Sequence, residues 1–505
     1  MNIFTGVFFI LTNPEQLFFL GLFVFLGIYI GAIPGLSVTM ACSLLISFTY
    51  TWDPLIALVS MVGVYVGGVY GGSRSAILLN VPGCPASIAT GFDGYPLAKK
   101  GLAGKAISIT IVMSFIGGII GTLFLAFAAP FISNIALKFG PNEYLLLGFM
   151  GLLLIGSMGE GSMVRGLLAG LIGLLVGTIG LDFATGQQRF TFGNIYLMGG
   201  IHYVVVMIGL FGMSEALYQL RYLSTEIIKQ RLDNLKPEWG EIKKHFPLTL
   251  RSSVLGTFIG ALPGTGGDIA SLIAYDQAKR TIKNPETPFG EGAIEGLVST
   301  ESANNAAIGG VYIPMLTLGI PGDAVTAVIL GALMIHGFEP GPLFLDKSPE
   351  IFSLIVGGNL IGNIFLLIFG FMGIKLFAKI VEIPKYILMP LIIILSIIGA
   401  FAINSNIADI YWMMAFGIFG YFLKLYYIPI APVILGIILC PVIENNFRRG
   451  LALANESIPL FIWNMLTGFI SFVLLFIIIF MIISQTKFYN NIKNKIVSKL
   501  IFRNK

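Results

Sequence analysis

Charge is what this sequence has least of. Asp, Glu, Lys and Arg make up 11% of its 505 residues, while 56% are hydrophobic. Soluble domains carry about 25% charged residues, so a water-facing surface of ordinary composition is excluded. Basic residues are missing from the start: no Lys or Arg occurs before Arg74. Acids are missing from the end: after Gln485 come Lys487, Lys493, Lys495, Lys499, Arg503 and Lys505 and no Asp or Glu. Basic residues beside a span mark the cytoplasmic side. The net charge of +5 therefore reads as membrane orientation rather than nucleic-acid binding, and the C-terminus is expected in the cytoplasm. Without a basic leading region, the start reads as a true span and not as a cleaved signal peptide.

Cysteine is nearly absent. Cys42, Cys84 and Cys440 lie in apolar sequence at no metal-like spacing. An odd, scattered set excludes a disulfide framework or a zinc site and leaves small buried hydrophobes. His202, His245 and His336 are equally scattered. The string GTGGD at 264–268 lacks the Lys-Ser/Thr of a phosphate loop. Tyr275-Asp276 and Asp268 suggest an intramembrane aspartyl protease, but the two acids fall about two turns apart on one expected helix, too far for a shared-proton pair.

What the chain has is long apolar runs: Leu17–Ile33, Ile107–Ala129, Tyr144–Ser157, Leu167–Ile179, Ile351–Ile374, Ile387–Ile403 and Leu460–Ile483. A bilayer core takes about 20 residues of helix, and the pattern predicts about 11–12 spans. The fold class expected is an all-α polytopic membrane protein. Residues 1–220 form a first membrane repeat, 221–251 a cytoplasmic linker, 252–485 a second repeat and 486–505 a basic tail.

The repeat is written in Gly and Pro. Residues 31–45 read GAIPGLSVTMACSLL and residues 260–274 read GALPGTGGDIASLIA. A second Pro-Gly follows each, in LLNVPG and in TLGIPG. The Pro-to-Pro spacing is 48 residues in the first copy (82 − 34) and 58 in the second (321 − 263), and the extra length is expected in the polar insert AKRTIKNPETPFGEG. Broken backbone survives at membrane depth only where it is buried or lines a wet cavity. Matching breaks in two halves point to a transporter's binding site. Inverted repeats with broken helical hairpins are expected, because such breaks then meet near the midplane.

The first hairpin tip gathers Asn80, Pro82, Gly83 and Ser87, and glycines there can turn backbone N–H groups toward an anion. The alternative is a kinked packing hairpin with Asn80 as a cap. Gly35 and Gly264 are their counterparts at the first Pro-Gly breaks, and Pro321 and Gly322 at the last. Arg74 is an ion inside an apolar run, which usually serves function. It is read as a carboxylate partner, with snorkelling or a salt bridge to Asp93 as alternatives. Asp93 itself, in FDGYP, reads as a turn residue. Asp268 follows three glycines before a helical run; N-cap and cation ligand are both open.

The densest polar cluster is VSTESANNAAIGGVYIPMLTLGIPGD, residues 298–323. Glu301, Asn304 and Asn305 share one helix face. Carboxylate, amide and hydroxyl oxygens suit a coupling cation, and amide N–H groups suit a carboxylate. Glu301, Asp268, Ser302 and Asp323 are the expected cation-coupling residues; interhelical hydrogen-bond glue is the alternative. A channel would need a continuous polar pathway, and a buried Glu beside broken repeats fits a carrier better.

GAIPGL (31–36), YGG (70–72) with AILLNVPG (76–83), DGYPLAKKG (93–101), GALPGTGG (260–267), FGEGAIEG (289–296), ESANNAA (301–307), the stretch from IPMLTLGIPGD to HGFEPGP (313–342) and PVILGIILCPVIENNFRRGL (432–451) together resemble the TctA family, the large membrane subunit of tripartite tricarboxylate transporters. Thr300, Asp323, Cys440 and Arg74 depart from the family pattern. The resemblance implies a multi-pass protein of the bacterial inner membrane that is not an enzyme and needs no cofactor beyond a coupling Na⁺ or H⁺. It also implies a periplasmic solute-binding protein and a small TctB-like membrane subunit as partners, and a citrate-like carboxylate as substrate.

Overall fold

The computed structural model of the chain describes residues 5–33, 36–80, 82–156, 163–182, 185–221, 239–372 and 385–484. Helices come in the order α1 (Thr5–Thr12), α2 (Pro14–Ala32), α3 (Val38–Thr49), α4 (Pro54–Leu79), α5 (Ile88–Lys99), α6 (Ala103–Ala136), α7 (Pro141–Gly156), α8 (Met163–Gly177), α9 (Tyr203–Met207) and α10 (Ser214–Leu220). They continue as α11 (Trp239–Gly260), α12 (Gly266–Thr281), α13 (Ile294–Leu318), α14 (Ala324–Ile335), α15 (Phe344–Lys347), α16 (Pro349–Met372), α17 (Lys385–Asn404), α18 (Ile407–Leu425), α19 (Ala431–Leu453), α20 (Ile458–Thr467) and α21 (Phe469–Ser484). A short antiparallel pair, Gly180–Leu181 with Gln188–Arg189, follows α8. The all-helical membrane class expected from the sequence is observed.

Among the described residues, seven helices are long and apolar enough to cross a membrane: Pro14–Ala32, Pro54–Leu78, Ala103–Ala136, Tyr203–Leu220, Pro349–Met372, Tyr386–Asn404 and Ala431–Leu453. The run Leu460–Ile483 is not one straight rod, because α20 and α21 meet at 92° across Gly468. Tyr203–Leu220 carries a π-helical stretch at Ile208–Met213, a feature often found at functional sites. α13 has 25 residues, about 37 Å of helix. Its polar cluster keeps it out of the apolar set although it is buried along nearly its whole length.

Helix starts follow local chemistry. Asn13 caps α2 by accepting from the Glu15 and Gln16 N–H groups, with Pro14 at the first turn. Asp53 caps α4 in the same way, through Leu55 and Ile56, with Pro54 following. In both, Pro occupies a position whose N–H has no helical partner.

Two compact units divide the chain. One comprises Met1–Leu137 and Ile201–Leu425, the other Lys138–Gly200 and Tyr426–Lys505. Within the second unit, α19 packs on α7 and α8. There Arg189 reaches Glu444 at 2.7 Å and Asp182 at 3.4 Å, and Arg448 pairs with the same two acids. That ring ties the short β pair to α19.

Within the first unit the same packing occurs twice. A side chain on Gly27 would strike the Val64 backbone, and one on Gly256 would strike the Ala303 backbone. Gly31 lies against Gly68 as Gly260 lies against Ala307, and Gly71 meets the Ile28 carbonyl as Gly310 meets that of Thr257. The α2–α4 pair and the α11–α13 pair are therefore joined by the same close approach. Between membrane helices, where no water-driven force acts, such glycine contacts supply the attraction. Pairing α3 with α12 and α4 with α13 in this way puts the extra length of the second copy into the longer α12 and the loop at 282–293.

Candidate functional site

The Glu301 carboxylate is the centre of the first unit's polar interior. Glu301 sits on α13 with 0% exposure. Oε1 accepts from Ser73 Oγ on α4 at 2.6 Å and from Thr90 Oγ1 on α5, and Oε2 accepts from Ser114 Oγ on α6 at 2.8 Å. Ser87 Oγ lies 3.2 Å from Ser73 Oγ. One carboxylate thus gathers hydroxyls from three other helices. A buried carboxylate needs such partners, and hydroxyl and carboxylate oxygens together suit a hard monovalent cation or a proton. No group of three or more His, Cys, Asp or Glu that could hold a metal ion occurs among the described residues.

The two hairpin breaks share one construction. Asn80 ends α4 with φ 55° and Gly319 ends α13 with φ 70°, both left-handed. Asn and Gly are the residues that take this conformation readily. Pro-Gly follows at each. Gly83 packs against the Cα of Gly72 at a distance that leaves no room for a side chain, and Gly322 packs against Val311 in the same manner. Asn80 and Pro82 are exposed, while Gly83, Ser87, Pro321 and Gly322 are buried. Gly264 turns the chain between α11 and α12 with φ 84°. Gly35 and its Pro34 lie outside the described residues, as do the linker from Tyr222 to Glu238 and the basic tail.

Glu301, Asn304 and Asn305 share a face, but their side chains part. Asn305 Nδ2 donates back to the Glu301 carbonyl at 3.0 Å. Asn304 is 1% exposed, and neither its Oδ1 nor its Nδ2 has a hydrogen-bond partner. Its Oδ1 lies against Gly267 in the first turn of α12, so closely that a Cβ there would collide with it. Ser302 donates to the Val298 carbonyl at 2.5 Å and does not join the Glu301 carboxylate.

The acids near the second-half breaks divide differently from the expectation. Asp268 is not an N-cap. Thr265 holds that position, and Asp268 is the third residue of α12 with an exposed side chain. The cap falls earlier because Gly266, at φ 56°, lets the helix start there. Asp323 is a full N-cap: its Oδ1 accepts from the Thr326 N–H at 2.7 Å, and Thr326 Oγ1 accepts from the Asp323 N–H at 2.9 Å. The Tyr65 hydroxyl on α4 donates to Asp323 Oδ2.

One further expectation changes. Asp93 is not in a turn but inside α5, where its Oδ1 accepts from the N–H groups of Gly290, Gly292 and Ala293 at 2.8–2.9 Å. It anchors the loop that leads into α13, and this tertiary bonding overrides the turn preference of D-G-Y-P. Arg74 is 1% exposed; Nε donates to the Tyr70 hydroxyl at 3.2 Å, Nη2 to the Gly370 carbonyl near the end of α16, and the guanidinium lies 5.1 Å from the Tyr70 ring centre. Ser73, Thr90 and Ser114 were invisible as a site in the sequence. Hydroxyls abound in these helices, and only the Gly-Gly pair before Ser73 marks one of them as close-packed.

Ser73–Glu301 and Tyr65–Tyr312, whose rings are 6.0 Å apart, are contacts between α4 and α13 that run in opposite senses along the two helices. The pair is antiparallel. A multi-pass helical membrane protein with two matching broken helices and a buried carboxylate on one of them has the build of a transporter. The family profile described as the tripartite tricarboxylate transporter TctA family matches residues 17–435, and the chain belongs to that family. An Agrobacterium vitis protein described as "Uncharacterized 52.8 kDa protein in TAR-I ttuC' 3'region" is 40% identical over 442 residues, covering 87% of this chain and 88% of that protein. A second from the same organism, described as "Uncharacterized protein in TAR-II ttuC' 3'region", is 40% identical over 209 residues, 41% of this chain and 86% of its own length. No solved structure matches the chain.

Proposed function

We propose that this chain is the large permease subunit of a tripartite secondary transporter of the bacterial inner membrane, with its C-terminus in the cytoplasm. It imports a carboxylate driven by a Na⁺ or H⁺ gradient. A periplasmic solute-binding protein delivers the substrate, and a small TctB-like membrane subunit completes the assembly. The observation that carries this reading is Glu301: a wholly buried carboxylate whose partners are the hydroxyls of Ser73, Thr90 and Ser114.

Glu301 takes the coupling cation or proton, with those hydroxyls turning their oxygens to it and Asp268 contributing charge nearby. The two breaks, Asn80–Gly83 and Gly319–Gly322, clasp the substrate, and Asn304, Gly264 and the start of α12 receive its carboxylate. The antiparallel contact of α4 and α13 supports inverted repeats, and alternating access follows from moving the hairpins as an elevator-like element. Ion binding drives transport only by favouring the substrate-ready state through differential affinity. Ser73 and Thr90 flank the first break on α4 and α5, so motion of that hairpin alters the ion site directly.

The test is uptake by vesicles holding this chain and the small subunit, with binding protein loaded with labelled carboxylate. Accumulation that needs both the binding protein and an imposed Na⁺ or H⁺ gradient supports the reading. Equilibration without either points to a channel and contradicts it.

A further inference from the structure

One helix start beside Asn304 is open, and two neighbouring positions are taken by acids of the chain itself. The N-cap of α12, Thr265, gives its helix no side-chain bond; its hydroxyl donates instead to the Ile259 and Leu262 carbonyls. At the turn before α5 the Ala86 N–H already faces the Asp268 carboxylate, and Ser87 Oγ is engaged by Ser73 and Cys84. α12 packs against α5 and against the Pro85–Ser87 turn that precedes it. The Cβ position of Gly267 would meet both Asn304 Oδ1 and, at 3.6 Å, Ala86 Cβ. The uncapped start of α12 carries unpaired N–H groups and partial positive charge. The Asn304 amide, buried and with neither polar atom bonded, is aimed into the same place. This is the chemistry of a carboxylate subsite.

The start of α14 is different. Asp323 occupies it with its own carboxylate, held by the Thr326 N–H, the Thr326 hydroxyl and, from α4, the Tyr65 hydroxyl. Asp323 stands one residue after Pro321-Gly322, where Cys84 stands after Pro82-Gly83. It also adjoins the α12 start: a Cβ on Gly266 would lie 2.9 Å from Asp323 Cβ.

Resting on the reading of this region as a carboxylate site, we propose that Asp323 is a built-in anion filling the α14 position, so that the protein takes its substrate through one carboxylate group, preferring a monocarboxylate to a di- or tricarboxylate. A second carboxylate on the ligand would arrive beside the Asp323 charge, already seated at the neighbouring α14 start. Like charges at short range in a poorly solvated site repel strongly, and such repulsion is how sites reject near relatives of their ligand. Asp268, in the first turn of α12 with its carboxylate against the Ala86 N–H, adds negative charge on the same side, which the coupling cation offsets.

The experiment is calorimetric binding of L-lactate, succinate and citrate to the full chain in nanodiscs, with sodium present. Wild type binds lactate at least about tenfold more tightly than citrate. Asp323→Asn keeps an N-capping oxygen but removes the charge, and shifts the lactate-to-citrate ratio toward citrate by about tenfold. Tyr65→Phe keeps the charge and therefore keeps the lactate preference. Citrate binding as tight as lactate in wild type, or an unchanged ratio in a folded Asp323→Asn, overturns this proposal and leaves the carboxylate reading standing. If wild type binds none of the three acids, the carboxylate reading falls and this proposal falls with it.

Discussion

Ser73 Oγ on α4 donates to Glu301 Oε1 on α13 over 2.6 Å, and that bond joins the helix before Pro82-Gly83 to the helix before Pro321-Gly322. Neither end can move alone without changing what surrounds the carboxylate. Hydrogen bonds to a buried charge contribute about 1.5–3 kcal/mol each. Ser73→Ala, Thr90→Val and Ser114→Ala are each expected to shift the half-saturating concentration of the coupling ion by roughly 10-fold or more, with the protein still folded. The shift is upward for Na⁺, which loses an oxygen ligand, and downward for H⁺, because the carboxylate loses a donor that favoured its ionised form. Uptake rate against ion concentration measures this. A half-saturation that none of the three changes removes these hydroxyls from the ion site.

The left-handed cap residues give a second test. Asn80→Gly is expected to be nearly neutral, while Asn80→Val and Gly319→Val force a branched side chain into φ 55° and φ 70°. The strain is about 1–2 kcal/mol each. Thermal unfolding in detergent should rank both Val variants below wild type and leave Asn80→Gly near it. Equal midpoints for all three would mean that the breaks relax without these conformations.

Matching glycine contacts predict matching sensitivity. Gly27→Val and Gly256→Val each drive a side chain into the backbone of the facing helix, Val64 in one case and Ala303 in the other. Overpacking of this kind costs about 1–3 kcal/mol, so both variants should lose thermal stability by similar amounts. Gly240, with open space around its Cβ position, should accept Ala without loss. Tolerance at Gly27 with failure at Gly256 would show that the two helix pairs do not carry the same load.

Asp93 holds the loop before α13 through three backbone N–H groups. Asp93→Ala leaves all three without that acceptor. The loop is then expected to open, and limited trypsin digestion should cut faster at Lys283, just ahead of it. A cleavage rate equal to wild type would assign the loop's order to other contacts.

Much of this was legible in the chain. Scarce charge and apolar runs gave the membrane class, and the two GA-Pro-Gly strings marked the helices whose glycine contacts recur. The i, i+3, i+4 pattern found Glu301, Asn304 and Asn305, because helix period alone places them on one face. Their divergence, with Glu301 turned to α4, α5 and α6 and Asn304 to α12, was not legible, since it depends on which helices pack beside α13. The hydroxyls of Ser73, Thr90 and Ser114 were missed for the same reason: each is an ordinary helical residue until three helices converge. Asp93 was misread from a local rule, and of the two readings left open for Asp268 the N-cap is not the one observed. A turn-forming string became helical once Asp93 had three N–H groups to bind, and a glycine free to take φ 56° started α12 ahead of Asp268.

The central claim is that Glu301 couples an ion gradient to carboxylate movement, and Glu301→Gln tests it most directly. The amide keeps the size and can still accept hydroxyl bonds at its one oxygen, but it cannot be ionised. Labelled carboxylate is followed into vesicles holding the variant, the small subunit and loaded binding protein, with and without an imposed gradient. The account predicts that gradient-driven accumulation is lost while exchange of internal for external substrate persists. Accumulation by Glu301→Gln at the wild-type level, with the same dependence on the gradient, would contradict it.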